Sequence, residues 1–88
     1  MTGFGERMTE LRARFLDRIA ADRAALEAAE QASDSTEIRR IAHGLAGAAG
    51  IFGFPEISEA ASAVDQAAEA ERGALLRRLL QLLEEAKP

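Results

Sequence analysis

Apolar residues recur at spacings of three, four or seven along nearly the whole chain, and that period leaves room for little except helix. Phe4, Met8, Leu11, Phe15, Ile19 and Leu26 fall on one face of a first helix, from about Phe4 to Gln31. Ala32-Ser33-Asp34-Ser35-Thr36-Glu37 is made of turn and N-cap residues, and Asp34 with Glu37 has the spacing of a capping box. A second helix runs from about Ser35 to Phe52 and must stop at Gly53-Phe54-Pro55, because proline disfavours helical geometry at the residue before it. Pro55 suits the first turn of a third helix, expected to about Ala70 with Ile57, Ala61, Val64 and Ala68 on its apolar stripe. Glu71-Arg72-Gly73 reads as the next link, with Gly73 as the stop residue. The fourth helix, about Ala74 to Ala86, turns Leu76, Leu79, Leu80 and Leu83 inward. Short links make consecutive helices antiparallel. The fold expected is all-α, an up-down-up-down four-helix bundle forming a single domain over residues 1–88.

Composition narrows the function. There is no cysteine and one histidine, so neither a disulfide framework nor a typical zinc site is expected, and no metal or cofactor is assigned. The net charge of −4 argues against nucleic acid, whose binders carry a basic footprint. No apolar run approaches the roughly 18 residues of a membrane span, and no signal-peptide pattern opens the chain, so a cytoplasmic protein is expected. The leucines of the fourth helix are already needed in the bundle core, which favours a monomer over a dimer seam. No phosphate-binding glycine loop and no serine–histidine–acid set is present, so ATP-dependent kinase activity of its own is not expected.

The unusual stretch is Ile41 to Phe54, which holds the lone His43 together with Gly44, Gly47 and Gly50. Glycine in a helix interior costs about 1 kcal/mol relative to alanine. With about 100° per residue and Ile38 at zero, the apolar residues of this helix centre on about 340°, and His43 falls at about 140°, on the opposite side. Its surface neighbours, one or two turns away, are Arg39, Ala46, Gly47 and Gly50. A surface histidine with no role is one reading. The other is that Gly47 and Gly50, also outward, bare the backbone beside an imidazole that a large partner must reach. A neutral imidazole can attack an electrophilic phosphorus, and a hydrogen bond at its second nitrogen would fix the tautomer. Asp65, at the edge of the groove on the third helix, is the candidate for that bond, with a solvated flank carboxylate as the competing reading. Without a nucleotide site, such a histidine would receive its phosphoryl group from another protein.

These residues carry a resemblance. Ala42-His43-Gly44-Leu45-Ala46-Gly47-Ala48-Ala49, then Gly53, then Val64-Asp65, are similar to the pattern of histidine-containing phosphotransfer (HPt) domains, particularly the phospho-accepting domain of chemotaxis-type histidine kinases. The resemblance implies phosphorylation of His43 on Nε2, an opening for a docking domain at Gly47, and an orienting acid at Asp65. It implies phosphoryl exchange with receiver-domain aspartates of response regulators or hybrid histidine kinases, any magnesium being held by the receiver. The apolar docking area would include Ala46, Gly50 and side chains of the first helix such as Leu16. The chain departs from the pattern where Ala46 replaces the usual lysine, and where Asp65 replaces the usual glutamate. The one lysine is Lys87, far along the chain, and Arg39 is the expected substitute charge. The alternative function is an HPt-like adaptor that binds a receiver or kinase without being phosphorylated.

Overall fold

A computed structural model describes residues 3–86, without the side chain of Phe4. Four helices follow in order: α1 (Gly3–Gln31), α2 (Ser35–Ile51), α3 (Pro55–Gln66) and α4 (Glu69–Glu85). Each packs on the next and α4 closes back on α1, which makes an antiparallel four-helix bundle with no strand among the described residues. None of these helices is long and apolar enough to cross a membrane. Phe4 as a contributor to the apolar face of α1, and Lys87, lie outside the described residues and side chains.

The core forms where the helical period places it. Phe15, Ile19, Leu26 and Ala29 of α1 meet Ile38, Ile41, Ala42, Leu45 and Ala49 of α2. Ile57, Ala60, Ala61 and Val64 of α3, with Leu76, Leu79 and Leu83 of α4, complete it. The alanines of α2 and α3 leave little side chain between the two backbones, so these helices can approach closely. One end is closed by aromatic rings: Phe15 stacks on Phe52 at 5.2 Å and meets Phe54 at 5.3 Å between centroids. The guanidinium of Arg12 lies 4.8 Å over Phe54, where ring quadrupole and cation attract. The exposed first turns of α1 continue past this end, and the described residues span 50 × 20 × 19 Å.

The turns follow recognisable chemistry. At the end of α2, Gly53 takes φ +82°, and the Phe54 N–H reaches back to the Ala49 carbonyl at 2.9 Å. That is a Schellman stop, for which glycine carries no Cβ penalty. Ser33 holds the corresponding position after α1 with φ 54°, and the Asp34 N–H bonds to the Ala29 carbonyl at 2.9 Å. The Asp34 carboxylate caps α2 by accepting from the Glu37 N–H at 3.1 Å. The reciprocal half of the expected box is not made, because the Glu37 carboxylate turns to Arg40 instead.

One boundary differs from the sequence expectation. The α3–α4 link is Ala67-Ala68, both extended, rather than Glu71-Arg72-Gly73, and Ala68 is exposed rather than on a stripe. Gly73 lies inside α4. The reason is Arg72, which is buried rather than in a link. Its Nη1 donates to Ser35 Oγ at 3.1 Å and its Nη2 to the Ala67 carbonyl at 3.3 Å, so the guanidinium satisfies backbone that the early break in the chain leaves open.

Candidate functional site

α2 presents His43 from its solvent side, because its buried residues Ile38, Ile41, Ala42, Leu45 and Ala49 fix the opposite face against the core. The His43 side chain is 81% exposed. It is nevertheless held: Nδ1 lies 3.0 Å from Asp65 Oδ2, and the Asp65 side chain is only 27% exposed. Val64 and Ala61 of α3 are fully buried, and this seating turns Asp65 along the groove toward α2.

The contact has a chemical consequence. An ionised carboxylate can only accept, so Nδ1 of His43 carries the hydrogen and donates it. In a neutral ring the remaining lone pair is then on Nε2, which makes no hydrogen bond to another described residue. Such a carboxylate would also stabilise positive charge on the ring if Nε2 formed a bond, as a histidine-orienting acid does elsewhere.

The glycines surround this ring unequally. A Cβ on Gly47 would meet nothing within 4 Å, so the surface one turn beyond His43 is open. A Cβ on Gly50 would stand 3.5 Å from Ser58 Oγ, an ordinary contact on the α3 side. Ser58 Oγ donates to the Ala46 carbonyl at 2.8 Å, so the bare stretch of α2 is also where α3 lays a hydroxyl on its backbone. The Ala46 side chain is half-buried. A Cβ on Gly44 would come within 3.2 Å of Arg18 Nη2, which places a guanidinium of α1 against the residue next to His43.

The charges nearby are mostly engaged. Arg39 Nη2 donates to the Ala67 carbonyl at 3.4 Å. Arg40 grips Glu37 with two bonds of 2.6 and 2.8 Å. Those bonds hold the Glu37 carboxyl below its usual range, and they push Arg40 up. Arg18 pairs with Asp22 through Nε at 3.3 Å. Two residues that the sequence reading passed over belong to this face. Ile51 is 76% exposed and lies two turns beyond His43. The helical arithmetic could have found it, since Ile51 falls at about 220° by the same 100° step. Arg18 had no such signal, because its place beside Gly44 depends on how α1 packs across α2. Leu16, expected as a docking side chain, is half-buried against the core.

A family model described as "Hpt domain" matches residues 10–87, nearly the whole chain. No curated protein and no solved structure matches it. Hpt domains act in histidine phosphotransfer in two-component systems and pass phosphoryl groups to receiver domains. The family match runs from within α1 to beyond α4, taking in all of α2 with its outward histidine and α3 with the carboxylate that holds it, and by that match the chain belongs to the Hpt domain family.

Proposed function

We propose that this chain is a phosphorelay intermediate in which His43 Nε2 takes a phosphoryl group from a receiver-domain aspartate and returns it to another. The observation that supports this reading is the 3.0 Å contact between His43 Nδ1 and Asp65 Oδ2, made by a ring that is otherwise open to solvent. In the transfer, the Nε2–P bond forms as the P–O bond to the receiver's aspartate breaks, and the aspartate leaves as a carboxylate. Nδ1 keeps its hydrogen throughout, shared with Asp65. The ring becomes cationic as the bond forms, and the carboxylate beside it lowers the cost of that charge. The domain supplies a positioned nucleophile, and the receiver supplies the metal and the remaining catalytic groups.

Docking would use the face around His43. Gly47 leaves room for the receiver's loops, Gly50 and Ala46 continue the small-residue surface, and Ile51 offers an apolar anchor. The arginines around the ring complement the acidic active site of a receiver and steer its approach. A single, monomeric, cytoplasmic bundle fits such a carrier.

The test mixes the protein with phosphorylated receivers of the source organism. Transfer predicts an acid-labile, base-stable phosphate on this chain, which His43→Gln abolishes while helicity is retained. A label that persists in His43→Gln would overturn the assignment. Receiver binding without any transfer would instead identify an adaptor.

A further inference from the structure

We propose that Arg18 of α1 supplies the positive charge for a phosphoryl group on His43, across the bundle surface rather than from α2 itself. This rests on His43 being the phosphorylated residue. A phosphoryl group on an exposed ring carries about two negative charges near pH 7 and is stabilised by a cation within reach. Within α2, the residue one turn after His43 is Ala46, which offers none.

Arg40, Arg39 and Arg18 bring guanidiniums to this side of the molecule. Arg40 is chelated by both oxygens of Glu37. Arg39 reaches away from the outward face to the carbonyl of Ala67, at the end of α3. Arg18 is tied least. Among the described residues, its one ion pair is through Nε to Asp22 at 3.3 Å, and its side chain is 47% exposed. Neither of its terminal nitrogens makes a hydrogen bond to another described residue. Nη2 stands 3.2 Å from where a Gly44 Cβ would be.

That position has a meaning for the site. Gly44 lies about 100° around α2 from His43, on the side turned to α1. Asp65 holds the ring from the α3 side. The imidazole therefore stands between a carboxylate that fixes Nδ1 on one flank and a guanidinium on the other. The missing Cβ of Gly44 lets that guanidinium lie against the backbone of α2 beside His43. An exposed Arg–Asp pair is weak, and a phosphoryl group offers arginine a stronger, bidentate partner. Rotation about the Arg18 side chain exchanges Asp22 for the phosphoryl oxygens. Arg18 is in this sense a residue that binds the transferred group.

The experiment uses phosphoramidate as a small phosphodonor, so no cognate receiver is needed. Nε2 attacks phosphorus, the reagent's P–N bond breaks, and ammonia leaves with the three hydrogens it carries in the zwitterionic reagent. The phosphoryl group on His43 is then titrated by phosphorus NMR in the wild type and in Arg18→Gln, Arg18→Lys and Arg39→Gln. A guanidinium beside the phosphoryl group favours its dianion, so its second ionisation lies lower in the wild type than in Arg18→Gln by roughly 0.2–0.7 unit. Arg18→Lys keeps most of that lowering, and Arg39→Gln titrates like the wild type. A structural role for Arg18 would not move this ionisation. Superimposable titrations of the wild type and Arg18→Gln would overturn the proposal with His43 phosphorylation intact. So would a shift in Arg39→Gln as large as that expected for Arg18→Gln. Failure of the wild type to form phosphohistidine would overturn both this proposal and the function on which it rests.

Discussion

In the proposed transfer, the chemistry of this face depends on which ring nitrogen of His43 holds its hydrogen, and the contact with Asp65 would set that. Asparagine at position 65 can present either an acceptor or a donor to Nδ1, so the preference for a bare Nε2 is lost, as is the charge opposite the ring. Asp65→Asn is expected to slow labelling of His43 by phosphoramidate about 10–100-fold, the usual cost of losing a group that orients a histidine. Time courses for the two proteins check this. Gly47 makes the second argument at this scale. A Cβ there meets nothing within the protein, and alanine is the better helix former by about 1 kcal/mol. Gly47→Ala is therefore expected to raise stability in urea by about that amount while lowering the rate of transfer from a phosphorylated receiver. A glycine that served the fold would give the opposite stability result. The outward direction of His43 and the place of Asp65 at the groove edge of its own helix were both legible in the sequence, because helical geometry fixes which side chains share a face; the contact between them depends on how α3 packs on α2. The place of Arg18 was not, because it depends on how one helix lies across another.

Helix ends separate what local sequence determines from what packing determines. The stop at Gly53-Phe54-Pro55 could be read directly, since a left-handed residue followed by a proline has few other uses. The α3–α4 break could not. Ala67 and Ala68 carry no turn signal, and the break there is held by the guanidinium of Arg72 reaching Ser35 and Ala67 from the next helix. A buried arginine reads in sequence as an exposed one, and Gly73 beside it drew the expected boundary too late. The two left-handed positions give a paired prediction. Ser33 at φ 54° bears a Cβ in a conformation that costs L-residues about 1–2 kcal/mol, whereas Gly53 at φ +82° does not. Ser33→Gly is expected to raise the unfolding free energy and Gly53→Ala to lower it, each by about 1 kcal/mol, read as shifts of the urea midpoint at unchanged slope.

At the scale of the whole molecule, the bundle is a frame for one exposed imidazole. α2 is packed on its inner face against α1 and α3, and its outer face is left to glycines, His43 and Ile51. α3 brings a carboxylate to one side of the ring and α1 brings a guanidinium to the other. No ring of this kind could be positioned by α2 alone. The antiparallel order is what brings Asp65, 22 residues away in sequence, into contact with His43. The central claim is that Nε2 is the nucleophile because Asp65 occupies Nδ1. It is tested most directly by phosphorylating the protein, labelled with nitrogen-15 in its single histidine, and recording the phosphorus and nitrogen NMR spectra. The account predicts a one-bond coupling from phosphorus to Nε2, with Nδ1 still protonated. Coupling to Nδ1, or no phosphorus on the ring at all, would contradict it.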